Sequence, residues 1–123
     1  MLTILNDPKG NEKDRLGVVG SLSWLQRCKA GYQVPIGRLR IGEIDVLHMP
    51  GELFVEYQLN AQKLRPGKTV LMAAYGEYGP GYIGTEIAYS QGGYETSERA
   101  SKVAPGVEAV LMGAVTKLLA RED

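Results

Sequence analysis

Carboxylates and phenols follow two predicted strands, and these are the side chains whose types could do chemistry. Glu52 follows the strand that ends at Met49 after the intervening Pro50-Gly51, and Tyr82 lies in the loop after the strand that ends at Tyr75. The same loops hold further carboxylates and phenols: Glu77, Glu86, Tyr78, Tyr89 and Tyr94. A carboxylate can be a metal ligand or a general base. A phenol can donate to a developing oxyanion or bind a metal as phenolate.

The segment from Tyr75 to Tyr94 is unusual in composition. It holds five of the seven tyrosines and six of the sixteen glycines, at irregular spacing. We therefore interpret it as a built loop region and not as low-complexity sequence. It lacks the Lys-Ser/Thr ending of a phosphate-binding loop, and no GxGxxG motif follows a strand. No serine has a nucleophile-elbow context, and the single histidine, His48, leaves little for a catalytic triad.

A strand–helix–strand unit is predicted to position these loops. Ile44 to Met49 is a mostly apolar strand, Glu52 to Leu64 has a helical apolar stripe, and Thr69 to Tyr75 is an apolar run typical of a buried parallel strand. If the two strands are parallel, both loops lie at the carboxyl end of the sheet, where ligands bind in open α/β sheets. Glu52 is then expected in the first turn of the helix, close to Tyr82.

The remaining elements complete a small α/β fold. Asn6 to Asn11 predicts a turn, and Glu12 to Ala30 a helix that Gly31 ends. Val34 to Arg40 predicts a strand that forms a hairpin with the next one. A helix with a clear apolar stripe is predicted after Pro105. The expected fold is a small, partly parallel sheet with flanking helices and a long Gly/Tyr-rich loop.

Length and composition limit the function classes. The 123 residues suit a single domain, or a fragment of a larger α/β catalytic domain. Fourteen basic residues balance fourteen acidic ones, which argues against nucleic-acid binding through bulk charge. Neither a transmembrane segment nor a secretory signal is visible in this sequence. The single cysteine, Cys28, is expected to be a small buried apolar residue.

Each candidate residue also has a purely structural interpretation. Glu52 could serve only to stabilise the positive end of a helix dipole. His48 could be a structural histidine at a strand end. The tyrosines could be packing residues whose hydroxyls reach water, and the glycines could only mark turns.

Three motifs carry a family resemblance. They are His48-Met49-Pro50-Gly51-Glu52-Leu53-Phe54, Gly81-Tyr82-Ile83-Gly84-Thr85 and Gln91-Gly92-Gly93-Tyr94-Glu95. In this order and spacing they resemble the C-terminal part of the neutral/alkaline (non-lysosomal) ceramidase-like family, most closely its uncharacterised bacterial branch. The resemblance extends from about Gly37 to Ala120.

The resemblance implies a zinc-dependent amide hydrolase. In that family a zinc ion activates the attacking water, and two N-terminal histidines, a glutamate and a tyrosine bind it. The glutamate matches Glu52 and the tyrosine matches Tyr82. Tyr94, Tyr78 and Glu95 are then expected to face the substrate, an N-acyl or lipid-like amide.

This chain departs from the family pattern in ways that limit the expected function. The family's metal-binding histidines and its serine-containing segment lie upstream of anything in this chain, and Gly84 stands where those enzymes have a threonine. The chain is therefore expected to carry half of a zinc site, to be inactive alone, and to pack against the missing N-terminal part or a second copy. The alternatives are a binding or assembly module that uses the Gly/Tyr rim, and an oligomer that completes the site with His48.

Overall fold

The computed structural model describes residues 2–77 and 79–121, and it divides the chain into two units, Met1–Gln33 and Val34–Asp123. The first unit contains helices α1 (Leu2–Leu5) and α2 (Glu12–Lys29). The strands of the second unit are β1 (Gly37–Ile41), β2 (Ile44–His48), β3 (Glu52–Leu53), β4 (Thr69–Ala73) and β5 (Tyr82–Ile83). Its helices are α3 (Val55–Lys63), α4 (Glu86–Gln91) and α5 (Val107–Ala120).

Local capping sets the bounds of α2. The Asn11 side chain accepts a hydrogen bond from the backbone N–H of Lys13, which satisfies a donor that the helix leaves unpaired. Gly31, at φ +77°, ends the helix as the sequence predicts. No residue of α2 is buried, and Cys28 is exposed. The prediction of a buried cysteine was therefore wrong, because this position lies on an open face of the helix.

The second unit is built on a three-stranded sheet in the order β1-β2-β4. Strands β1 and β2 form an antiparallel hairpin, and β2 and β4 are parallel, with α3 in the connection between them. The predicted hairpin, the strand–helix–strand unit and the α/β class with a partly parallel sheet are confirmed. A second, two-stranded sheet pairs β3 with β5 in parallel.

The two faces of the three-stranded sheet differ in burial. Leu47 and Val70 lie on one face and are buried in a core with α3 and α5. Because side chains alternate along a strand, Leu39, Val46 and Leu71 share the other face and are direct cross-strand neighbours. Leu39 is 59% exposed and Leu71 is 48% exposed. The prediction that β4 is buried therefore holds for one face only: Val70 is buried in the core, whereas Leu71 on the other face is exposed.

Two sequence predictions near the loops were wrong. The helix predicted from Glu52 begins at Val55, and Glu52 lies in a strand. The segment predicted as a loop from Tyr75 to Glu95 contains strand β5 and helix α4. Strands β3 and β5 have two residues each and helix α4 has six, so they are too short for hydrophobic periodicity to reveal them. The two strands are defined by their backbone pairing with each other, which joins residues distant in the sequence.

Candidate functional site

Strand pairing places Glu52 beside Tyr82. They are direct partners in the parallel β3–β5 pair. The backbone N–H of Glu52 donates to the carbonyl of Gly81 at 2.8 Å, and that of Phe54 donates to Ile83 at 3.0 Å. These bonds commit the Glu52 backbone to a sheet, so its carboxylate does not serve a helix terminus as the structural interpretation expected. The predicted proximity of the two residues is confirmed, but through strand pairing.

The side chains of this pair are hydrogen-bonded. The Tyr82 hydroxyl donates to the Glu52 carboxylate, and this bond is the main reason why the pKa of Tyr82 is raised to about 12. The negative charge of Glu52 contributes next, followed by burial and by the charges of Tyr75 and Glu95. An ionised phenol next to a carboxylate is disfavoured by like-charge repulsion. Tyr82 is therefore a neutral donor at neutral pH.

The two predicted rim loops are joined by backbone hydrogen bonds. Tyr75 donates its N–H to the carbonyl of Gly51 at 2.8 Å, Gly76 donates to Met49 at 2.9 Å, and Gly51 donates to Glu77 at 2.8 Å. This confirms that both loops meet at one end of the sheet. Gly51 has φ +60°, and a Cβ there would lie 2.6 Å from the Gly81 carbonyl oxygen. Only glycine allows this close approach.

Two further predicted site residues lie near Tyr82. The ring of Tyr94 contacts the ring of Tyr82 with centroids 6.2 Å apart and planes at 75°. The Glu95 carboxylate is close enough for its charge to raise the pKa of Tyr82. Tyr94 is 59% exposed, so most of this phenol faces open space. Tyr78, the fifth predicted site residue, lies outside the described residues.

Two further tyrosines, Tyr89 of the rim and Tyr57 of helix α3, bind the backbone of Gly84. The Tyr89 hydroxyl lies 2.9 Å from Ser101 Oγ and accepts a hydrogen bond from the N–H of Gly84 at 3.4 Å. The Tyr57 hydroxyl donates to the carbonyl of the same glycine at 2.9 Å. Burial, followed by the charges of Glu108 and Tyr89, raises the pKa of Tyr57, which keeps it a donor. These two tyrosines fix the chain just after Tyr82, a role that sequence reasoning missed.

Glu86 belongs to a different surface. Its N–H donates to the Glu108 carboxylate at 2.6 Å, and both residues line an open groove together with Glu56. Sequence proximity to Tyr82 therefore did not indicate a shared site. The intervening Gly84-Thr85 segment turns the chain into α4 and carries Glu86 away.

His48 and Tyr75 stand at the edge of the site. His48 is exposed at the end of β2, and its ring packs on Gly76 so closely that a Cβ there would lie 2.3 Å from Nε2. Tyr75 is 61% exposed and has φ +66°, the only positive φ of a non-glycine residue in the described part of the chain. Sequence reasoning did not single out Tyr75, because no residue-type rule predicts an aromatic side chain in the left-handed region.

Glu52 and Tyr82 present a carboxylate oxygen and a phenol oxygen, which are both of the kinds that bind metals. Two ligands of one tetrahedral zinc ion, each about 2.0–2.2 Å from it, lie about 3.5 Å apart, which is close to hydrogen-bond contact. The pair therefore fits two positions of a zinc site. Among residues 2–77 and 79–121, no group of three or more His, Cys, Asp or Glu side chains could hold a metal ion. A catalytic zinc site has about three protein ligands, so Glu52 and Tyr82 by themselves make up only part of such a site.

Comparison with family models, curated proteins and solved structures finds no match to this chain. No helix in the described part of the chain is both long and apolar enough to cross a membrane.

Proposed function

We propose that this chain is the C-terminal portion of a ceramidase-like, zinc-dependent amide hydrolase and contributes two ligands, Glu52 and Tyr82, to its metal site. The observation that carries the proposal is the hydrogen bond between these side chains across directly paired strand residues. The resemblance of the three motifs selects the same two residues. The substrate class is an N-acyl or lipid-like amide, and the chain alone is inactive.

The chemistry assigns distinct roles to the residues of the site. Bound zinc would supply an activated water for attack on the amide carbonyl. Glu52 provides a carboxylate oxygen, and Tyr82 provides Oη once its proton is released. Because the free phenol has a raised pKa of about 12, metal binding must displace that proton, and metal affinity rises with pH. Tyr94 and Glu95 face the open side and contact the substrate.

The exposed sheet face supports a packing partner in the intact enzyme. All-parallel sheets have both faces covered. In this mixed sheet, Leu71 on the parallel strand β4 is 48% exposed, and Leu39 and Ile41 on the antiparallel strand β1 are each 59% exposed. We assign this face to the N-terminal part of the catalytic domain, which would also bring the two histidines. Self-association of this chain is the alternative source of cover.

Cobalt binding in the presence of imidazole tests the half-site. Cobalt(II) replaces zinc in tetrahedral sites and gives visible absorption bands there, and free imidazole can stand in for the two histidines. We expect saturable bands with the wild-type chain, and their loss in Glu52→Gln and in Tyr82→Phe. The matched controls Glu95→Gln and Tyr94→Phe should retain them. Circular dichroism of each variant establishes that it is folded.

The outcomes separate the possibilities. Loss of the bands in both ligand variants, with both controls unchanged, supports the assignment. Equal bands in wild type and Tyr82→Phe would remove Tyr82 from the metal site. Bands that require neither Glu52 nor Tyr82 would show that cobalt binds elsewhere, and the proposed half-site would be rejected.

A non-catalytic binding module is the second candidate function. It is favoured by the small number of metal ligands in the described residues and by the exposure of Tyr75 and Tyr94, at 61% and 59%. Exposed aromatic side chains grouped at one rim are typical of recognition surfaces. Ligand binding that persists in a metal-free chain would favour this candidate.

A further inference from the structure

Three tyrosines and two carboxylates meet around the hydroxyl of Tyr82. We call Tyr75, Tyr82 and Tyr94, together with Glu52 and Glu95, the tyrosine cage. The rings of Tyr82 and Tyr94 stand at 75° with centroids 6.2 Å apart, so they form a corner. Tyr75 lies on the adjoining loop, where its backbone N–H donates to the carbonyl of Gly51, the residue before Glu52, at 2.8 Å.

Tyr75 is held in a conformation that an aromatic residue rarely adopts. Its φ of +66° costs free energy that glycine would not incur. The backbone hydrogen bonds from Tyr75 to Gly51 and from Gly76 to Met49 fix this conformation. The side chain gains little burial in return, since it is 61% exposed. Residues held in sparsely populated backbone conformations cluster at binding and active sites.

The field at the tyrosine cage is negative. Glu52, the strand partner of Tyr82, and Glu95, which follows Tyr94 in the chain, are carboxylates, and their negative charges act on the Tyr82 hydroxyl. The hydrogen bond to Glu52 also makes the Tyr82 ring more electron-rich. Electron-rich ring faces combined with nearby carboxylates attract an organic cation.

We propose that the tyrosine cage binds a small quaternary ammonium cation, independently of any metal. The rings of Tyr75, Tyr82 and Tyr94 contact its methyl groups, and the carboxylates of Glu52 and Glu95 balance its charge. Aromatic rings recognise quaternary ammonium groups through this combination of contacts. A ligand with a phosphate next to the ammonium group is disfavoured, because the same carboxylates repel it.

The test compares choline with its neutral isostere 3,3-dimethylbutan-1-ol, using the metal-free full chain. Two-dimensional NMR with labelled tyrosine rings follows each titration. We expect choline to bind saturably and at least about fivefold more tightly than the alcohol, with shifts at Tyr75, Tyr82 and Tyr94. Phosphocholine and phosphatidylcholine vesicles should bind more weakly than free choline. Equal affinity for choline and the alcohol, or tighter binding of phosphocholine or the vesicles, would overturn the proposal.

Matched variants separate the ring from the hydroxyl. Tyr94→Phe keeps the aromatic face and should retain choline binding, whereas Tyr94→Leu should weaken it by about fivefold or more. Glu95→Gln should weaken choline binding without changing the response to the alcohol. Because Tyr94 is 59% exposed, these substitutions are expected to leave the fold intact. Unchanged affinity in Tyr94→Leu would contradict the assignment of this ring to the tyrosine cage.

The choline experiment and the cobalt experiment can succeed or fail independently of each other. Choline binding without cobalt bands would support the tyrosine cage and reject the half-site. Cobalt bands without choline binding would do the reverse. If both bind, zinc and imidazole should displace choline, because both ligands use Glu52 and Tyr82. Simultaneous, independent binding would contradict a shared site.

Discussion

At the scale of single residues, Glu52 and Tyr82 act as one unit. The phenol remains protonated because its proton is held against the carboxylate, and the same proton is lost if both oxygens bind a metal. The pKa of Tyr82, raised to about 12, is therefore a direct measure of the contact between the two side chains. It also predicts how the contact affects stability at high pH.

Glu52→Gln should lower the pKa of Tyr82 from about 12 towards the ordinary value near 10. The amide removes the negative charge that opposes ionisation, although it can still accept a hydrogen bond. Carbon-13 NMR of labelled tyrosine rings resolves Tyr82 from the other tyrosines during a pH titration. Glu43→Gln, at an exposed position outside the site, serves as the control. An unchanged Tyr82 titration in Glu52→Gln would show that the two side chains are not in contact.

The same contact makes stability depend on alkaline pH. A tyrosine whose pKa is raised in the folded state contributes stability that is fully present below the unfolded pKa near 10. That contribution is lost as the pH rises from about 10 through the folded value of about 12. Urea unfolding across this range should show a steeper loss in wild type than in Tyr82→Phe. Parallel curves for the two proteins would argue against a raised pKa.

At the scale of elements, the site depends on close backbone approach between short strands and loops. Gly81 has φ +66°, and a Cβ there would lie 2.2 Å from the carbonyl oxygen of Ala100. That carbonyl accepts the N–H of Tyr82 at 3.0 Å. A side chain at Gly81 would therefore displace the strand that presents Tyr82.

Gly81→Ala should destabilise the second unit by more than about 1 kcal/mol, because alanine is strained at positive φ and clashes with backbone. Gly113→Ala is the matched control, since no atom lies within 4 Å of its added Cβ in helix α5. We expect that control to be neutral or stabilising, by up to about 1 kcal/mol. Urea unfolding gives both free energies, and an equal effect of the two substitutions would contradict the close approach at Gly81.

A buried charge network lies on the core face of the three-stranded sheet, where Asp45 is the direct strand partner of Val70. The side chain of Asp45 is 2% exposed and forms ion pairs with Arg38 at 2.7 Å, Arg40 at 3.4 Å and Arg65 at 3.6 Å. Arg38 and Arg65 also donate to carbonyls at the end of α5, including Leu119 at 2.8 Å. Burial is the largest single influence and raises the pKa of Asp45, but the hydrogen bond and charges of the arginines together outweigh it and lower the pKa.

Asp45→Asn should cost about 3–5 kcal/mol, because it removes the buried carboxylate that pairs with Arg38, whose side chain is 7% exposed. Since the pKa of Asp45 is lowered in the folded state, its contribution is present above pH 4 or so and is lost as the pH falls further. Glu43→Gln is again the control, and its exposed pair with Lys68 should matter little. A small effect of Asp45→Asn in urea unfolding would show that the network contributes little to the free energy of unfolding.

Long, periodic segments of the sequence predicted their structure, and short ones did not. Helix α2, the β1–β2 hairpin and the β2–α3–β4 unit follow from hydrophobic patterns and glycine signals. Strands β3 and β5 have two residues each, so their pairing has no local signature. The sequence pattern consequently predicts that Glu52 begins a helix, whereas in the structure it lies in strand β3. The motif resemblance still selected Glu52 and Tyr82, because it uses residue identity and order and not periodicity.

Two features needed the folded structure. The Asp45 network joins residues from β1, β2 and the end of α3, and its only sequence signal is the alternation of Arg38 and Arg40 opposite one aspartate. The left-handed conformation of Tyr75 depends on bonds between two loops that are distant in sequence. Both features depend on contacts between residues that are distant in the sequence, and no local sequence pattern predicts those contacts.

At the scale of the whole molecule, the exposed face of the three-stranded sheet carries a group of apolar side chains. Its central positions, Leu39 and Leu71, flank Val46 across the sheet. Apolar side chains grouped in this way bind other apolar surfaces. The proposal of a hydrolase assembled from two parts places the partner there.

The double substitution Leu39→Lys and Leu71→Lys should leave the unfolding free energy nearly unchanged and reduce binding of an apolar dye. Both residues are already 48% or more exposed, so little burial is lost. Dye fluorescence and urea unfolding on the same preparations measure the two effects. As a control, Val110→Lys replaces an exposed apolar residue on α5. Equal dye binding by wild type and the double variant would show that this face is not an accessible apolar surface.

The most direct measurement of the central claim is the ionisation of Tyr82 near neutral pH in zinc and imidazole. We expect zinc to convert Tyr82 to the phenolate, which is visible in the carbon-13 signal of its ring, while Tyr94 remains a phenol. Glu52→Gln should weaken this response. If zinc binding reaches saturation while Tyr82 stays protonated, the two side chains do not form half of a metal site.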